Sequence, residues 1–271
     1  MRKLIINADD FGVCWSTNEA IANAFEYGVL CTATLMVPCA ASSDAIKIAK
    51  KNPRIKTGLH ITTNAEWDVK RGPVSPPDTV RSLVDENGLF INDIVAFAHR
   101  ANPQEFALEL ETQYQVMVAA GLTVSHADSH MCSVYGLGLP SLMKEVLEFC
   151  AKHNLPFRFP RNPESLKYII GKNKIPEDIL ESHAKSVKLA DSLGVRIIDN
   201  FVVNVENVQS YEALKSAYFK LVANLPEGIT DMGMHPSLNP AWRMRTWEYR
   251  LLVDNDFKLH INREGVVLAA Y

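Results

Sequence analysis

The sequence predicts a (β/α) barrel of seven or eight parallel strands, forming one domain over 1–271. Short β-rich apolar runs alternate with helical patterns along the whole chain, the order that builds parallel sheets. Seven or eight such units in 271 residues suit a barrel, which typically takes about 250. Titratable side chains also gather where strand-like runs end, the face on which barrels keep their chemistry. A doubly wound open sheet is the alternative, because the order of elements does not distinguish closure from an open edge.

The first strand, 3–8, runs into "NADDFG", where Asp9 and Asp10 are adjacent. Two neighbouring carboxylates repel unless a cation or solvent screens them. Ser16 and Glu19 read as a capping box opening a helix over 17–27, so the pair sits in a strand-to-helix turn. Strands follow at 30–37, 55–62, 122–130, 156–160, 196–204, 229–235 and 257–261, with helices at 42–51, 103–120, 140–153, 176–193, 209–224 and 243–253. Within 103–120, Phe106, Leu110, Tyr114 and Met117 recur every three or four residues, and Gly121 stops the helix. One connection, 63–93, breaks the rhythm. It holds Gly72-Pro73, Ser75-Pro76-Pro77 and Asn87-Gly88, and is long enough to be a binding loop or lid, with Trp67 and Phe90 giving it an apolar face. The shorter stretch 161–175 has a similar irregular character.

Composition narrows the function. The chain is 47% hydrophobic and 22% charged with net charge −3, which suits a soluble protein and gives no basic stripe for nucleic acid. No apolar run approaches the roughly 18–20 residues of a membrane span. Met1-Arg2-Lys3 leads directly into the first strand, so a signal peptide is not expected and a cytoplasmic location is. The five cysteines lack CxxC spacing and are odd in number, as expected of free thiols in a reducing compartment. Cys132 lies close enough to the motif at 125–130 to line a pocket. No GxGxxG follows the first strand and no Walker A sequence occurs, so nucleotide binding is not supported.

The strongest local signal is "SHADSH", 125–130. In a strand, His126, Asp128 and His130 share one face, an expensive arrangement in an apolar core but a suitable one for a wet cleft or a metal. His60 ends the third strand and His235 the seventh. With Asp9 and Asp10, these groups all fall at the C-terminal ends of strands that converge in a parallel barrel. His99, His153, His183 and His260 lie elsewhere and receive no chemistry.

"NADDFG", "GLH" at 58–60, "HADSH" at 126–130, "MHP" at 234–236 and Arg245-x-x-Glu248 resemble, in content and order, the YdjC-like carbohydrate deacetylases. That group includes chitooligosaccharide deacetylases and is related to the polysaccharide deacetylases. The resemblance covers essentially the whole chain. It implies a hydrolase that removes the acetyl group from short N-acetylated sugars with a divalent metal, Mg2+ or Zn2+. It matches Asp10, His60 and His130 to the metal ligands, Asp9 to the catalytic base and His235 to the acid. His126 and Asp128 would orient ligands or Asp9, and Trp67, Tyr135 and Arg245 would contact the sugar. Many relatives carry further histidines where Met131-Cys132-Ser133-Val134-Tyr135 stands here, a departure that bears on substrate preference and leaves the metal site untouched. A homodimer is the commonest assembly for such an enzyme. The competing readings are another metal-dependent barrel hydrolase, such as a phosphoesterase or cyclic amidohydrolase, and a non-catalytic sugar-binding protein. The first usually places His-x-His after the first strand, where this chain has Asp-Asp. The second would need neither Asp9 nor His235.

Overall fold

A computed structural model describes residues 1–66, 70–171, 174–203 and 208–271. The elements in order are β1 (Arg2–Phe11), α1 (Trp15–Tyr27), β2 (Thr32–Leu35), α2 (Ser42–Lys51), β3 (Lys56–Ile61), α3 (Ile94–Arg100), α4 (Pro103–Ala119), β4 (Ala127–Ser129), α5 (Met143–His153), β5 (Phe157–Pro160), α6 (Leu166–Ile170), α7 (Glu177–Ser192), β6 (Ile197–Ile198), β7 (Asn200–Val203), α8 (Tyr211–Ala223), β8 (Gly228–Met234), α9 (Arg243–Leu252), α10 (Asn255–Arg263) and β9 (Val267–Leu268).

The strands pair in the order β6-β5-β4-β3-β2-β1-β8-β7, and the pairings are parallel. The two ends of this order are neighbours in the chain, because β6 and β7 are separated only by Asp199. Its N–H donates to Ile229 O at 3.1 Å, and its carbonyl accepts from Asn162 N–H at 2.9 Å. One segment therefore touches both β5 and β8, and the eight strands form a nearly closed barrel. The single strand expected over 196–204 is thus two short pieces serving opposite neighbours. β9 adds beside β1 at Lys3 and Leu4, below the point where β2 begins to pair at Asn7.

Strand alternation sorts the barrel's two faces. Ala8, Ala33, Leu35, Leu59, Ala127, Phe157 and Phe159 pack outward into one apolar core, and Leu4, Ile6, Val202, Met232 and Met234 into another. The intervening residues Asn7, Asp9, Thr32, Thr34, His60, Asp128, Arg158 and Asp231 are buried polar groups on the opposite, inner face. The apolar cores lie between sheet and helices, and the barrel interior is largely polar, with Ile5 and Phe201 among its polar groups.

Local differences from the sequence reading have physical causes. The segment 257–261 is part of α10: Phe257 and Ile261 are buried at helical spacing, Leu259 is 41% exposed, and Asp254 caps the helix through Asp256 N–H. Alternation alone fits either element, and the cap settles the matter. The capping box is likewise not formed. α1 begins at Trp15 after Cys14 with no side-chain cap, and the Ser16 hydroxyl instead approaches the Ser237 hydroxyl at 3.3 Å.

The described residues of 62–93 carry two single 3-10 turns, Pro77–Thr79 and Arg81–Leu83, and an antiparallel bridge between Val84 and Phe90. It is pinned to α4 by side chains of that helix. Gln113 exchanges hydrogen bonds with the Thr62 backbone at 3.2 and 2.6 Å. The Glu109 carboxylate accepts from Val74 and Ser75 N–H, both at 2.9 Å.

Candidate active site

A cavity of about 760 Å³ opens at the C-terminal ends of the strands, and Asp9, Asp10, His60, His130, His235 and Arg245 line it. Asp9 and Asp10 share it because β1 is irregular there. Its register against β2 shifts between Ala8 and Phe11, and Asp10 has φ of 63°. A regular strand would send adjacent side chains to opposite faces. The left-handed Asp10 turns its carboxylate back to the side of Asp9, a local strain of the kind that gathers at functional sites.

Asp10 Oδ1 lies 3.4 Å from His60 Nε2 and 3.5 Å from His130 Nδ1, and those two nitrogens are 3.3 Å apart. Each imidazole turns its other nitrogen to a carboxylate: His60 Nδ1 to Asp128 Oδ1 at 2.6 Å and His130 Nε2 to Glu66 Oε2 at 2.6 Å. Carboxylate–histidine pairs of this kind orient metal ligands. Among the described residues Asp10 Oδ1 is buried with no hydrogen-bond partner of its own, and a tetrahedral ion with bonds of about 2.0–2.1 Å spaces its ligands by about 3.3–3.4 Å. The group therefore fits a divalent cation. Asp9, His60 and Asp128 also approach one another, but Arg158 Nη2 stands 2.6 Å from Asp9 and 2.8 Å from Asp128. The guanidinium fills the place an ion would take.

Arg158 organises the barrel interior. It donates to Asp9 through both Nη1 (2.7 Å) and Nη2 (2.6 Å), lies 3.6 Å from Asp231 Oδ1, and sits 4.9 Å over the Phe201 ring. Burial would raise the pKa of Asp9, but the charge and hydrogen bonds of Arg158 outweigh it and hold the carboxyl far below its ordinary range. Asp10 is likewise held low against burial, chiefly by Arg245, whose Nη1 lies 2.7 Å from Asp10 Oδ2. Burial would lower His60, yet the Asp128 carboxylate, with the charges of Asp10 and Asp9 beside it, raises it to about 10. For Asp231 burial prevails and the carboxyl rises to about 7.

His235 lies at the rim, its Nε2 3.8 Å from Asp9 Oδ2. Its backbone N–H donates to Glu248 Oε2 at 2.6 Å, while Tyr218 donates to Glu248 Oε1 at 2.9 Å. Asp128 joins the two halves of the site, touching His60 and Arg158 and accepting from Thr34 at 2.9 Å.

Two expectations end elsewhere. His126 does not reach the ligand group. Its ring stacks on Tyr271 at 3.9 Å, close enough to Gly58 that a Cβ there would come within 2.5 Å, and burial lowers its pKa to about 3. Tyr135 does not reach the cavity either, because its ring packs among Phe157 and Phe159 and its hydroxyl donates to Arg158 O. Met131 and Cys132, with φ of 54° and 52°, turn the chain after His130 and send Tyr135 into the core. Trp67 lies outside the described residues. Cys132 does line the cavity, with its thiol pushed up to about 12 by burial. Sequence reasoning missed Arg158, Glu66, Arg71 and Asp231. For Arg158 a signal existed, since "FRF" in 156–160 places a charge in an apolar strand.

The YdjC-like protein family model matches residues 3–263. A carbohydrate deacetylase from Thermoanaerobacter pseudethanolicus is 25% identical, covering 100% of this chain and 98% of its own. A chitooligosaccharide deacetylase from Yersinia enterocolitica is 29% identical over 72% of this chain and 79% of its own. A crystal structure from Enterococcus faecalis V583, of a protein designated for cellobiose-phosphate cleavage, matches with a TM-score of 0.79 at 25% identity, over 100% of this chain and 97% of that one. With the family match spanning nearly the whole length, the chain belongs to the YdjC-like protein family.

Proposed function

We propose that the protein is a metal-dependent carbohydrate deacetylase, hydrolysing the acetamide of a short N-acetylated sugar. The observation that carries this is the triangle of Asp10 Oδ1, His60 Nε2 and His130 Nδ1 at the floor of a cavity that also holds Asp9 and His235. The relatives named as deacetylases support the same reading.

A divalent cation, Mg2+ or Zn2+, supplies Lewis acidity toward the amide carbonyl and lowers the pKa of water; the ligand spacing of 3.3–3.5 Å favours Zn2+. Arg245 holds Asp10 Oδ2 and leaves Oδ1 to the ion. Asp9, held ionised by Arg158, accepts the proton of the attacking water. The fork of Arg158 favours the return of Asp9 to its ionised form, and His235, 3.8 Å away, delivers the proton to the departing amine. The cavity falls within the roughly 300–1,000 Å³ of small-ligand pockets, which supports short sugars over long polymers. A cytoplasmic location and a homodimer belong to the same reading and are tested by fractionation and light scattering.

The test is acetate release from a panel of N-acetylated mono- and oligosaccharides, with elemental analysis of the purified protein. Asp9→Asn should keep the metal and lose about 10²–10⁴-fold in turnover, whereas Asp10→Ala, His60→Ala and His130→Ala should lose metal and activity together. Metal-loaded protein that releases no acetate from any sugar, yet hydrolyses a phosphoester or cyclic amide, would move the assignment to that class.

A further inference from the structure

Glu66 and Arg71 belong to the irregular segment after β3, and neither has a part in the proton transfers above. Both are nevertheless buried, at 7% and 3% exposure. Arg71 Nη2 donates to Glu66 Oε1 at 3.0 Å, and Glu66 Oε2 lies 2.6 Å from His130 Nε2. Arg71 Nη1 also stands 3.2 Å from that nitrogen. An arginine N–H cannot donate to a nitrogen that itself carries hydrogen, and the shorter contact to the carboxylate decides the tautomer. Nε2 carries the hydrogen, so Nδ1 keeps its lone pair and faces Asp10 and His60. The pair lies between two anchorages to α4, at Thr62 and at Val74 and Ser75, so its place is held from both sides.

We propose that Glu66 is a positioning residue of the metal centre: it fixes His130 in the Nε2–H form, so that the metal is taken by Nδ1 of His130 and Nε2 of His60. Arg71 balances the Glu66 charge. The long connection then contributes a working part of the metal site through Glu66, which also lines the cavity. This rests on reading Asp10, His60 and His130 as ligands.

The test uses the full chain, stripped with chelator and titrated with Zn2+ by calorimetry, with no sugar present. Glu66→Ala should bind Zn2+ about 10–100-fold more weakly. Glu66→Gln, whose amide oxygen can accept the same N–H, should recover part of that loss. Folded Glu66→Ala with wild-type affinity overturns the proposal. The second measurement needs no variant: ¹⁵N NMR of the wild-type His130 ring, where protonated Nε2 and zinc-bound Nδ1 are expected, and zinc on Nε2 overturns the assignment. Failure of the wild type to bind Zn2+ would overturn the ligand reading together with this one. Acetate release is read separately, so a negative sugar panel leaves the tautomer result standing.

Discussion

Asp9, Asp10 and Asp231 are three buried carboxyls whose behaviour is set by what faces each. Asp9 meets the fork of Arg158 and Asp10 meets Arg245, so both are held ionised. Among the described residues Asp231 meets the edge of the same guanidinium at 3.6 Å and accepts a hydrogen bond from Tyr271 at 2.7 Å, and burial prevails. Its folded pKa of about 7 lies above the unfolded value near 3.9, so the folded state binds the extra proton. The stability this group contributes is complete below about pH 4 and is lost as pH rises through about 7. Asp231→Asn should therefore raise the melting temperature at pH 8 and change it little at pH 4, as scanning calorimetry across that range would show. A larger gain at pH 4 than at pH 8 would contradict the linkage. At this scale the sequence was informative wherever side-chain chemistry and strand ends coincide, as at Asp10, His60 and His130. It was silent on Glu66, because an irregular segment has no periodicity from which to read direction. It misled at Tyr135, because two consecutive left-handed residues erase the link between nearness in sequence and nearness in space.

The elements were legible where period and boundary signals agree. α4 follows Phe106, Leu110 and Met117 inward, all fully buried, with Asn102 capping it and Pro103 in its first turn. α10 and β9 were not, since five residues of alternation do not separate a short strand from two helical turns. The less visible property of α4 is the polar part of that same buried face. Glu109 and Gln113 are fully buried, although their residue types read as solvent-facing, because they satisfy backbone groups of 62–75. Glu109→Ala would leave the half-buried Val74 and buried Ser75 N–H groups unpaired, at a cost of about 2–4 kcal/mol. Denaturant melts should show that loss, and limited proteolysis should cut within 63–93 faster than in the wild type. Unchanged cleavage there would mean that the anchorage does not hold the segment.

Over the whole molecule, the alternation of units conveyed the barrel but not how it closes or what fills it. Closure depends on Asp199 touching both edges, a matter of register that composition does not encode. The polar filling depends on Arg158, which gathers carboxylates from β1, β4 and β8; Asp9 alone is 149 residues away in the chain. This clasp has a consequence for the order of events in folding. Until β1, β4, β5 and β8 have met, three carboxyls and one guanidinium remain hydrated, and nothing rewards bringing them together early. Their desolvation belongs after the rate-limiting barrier, so the clasp should govern how slowly the protein unfolds and leave its folding speed alone. Arg158→Lys keeps the charge and gives up the fork. In stopped-flow denaturant jumps it should steepen the loss of native signal while the refolding limb stays near that of the wild type; a slowed refolding limb would instead place the clasp in the nucleus, with the barrel assembling around its charges from the start.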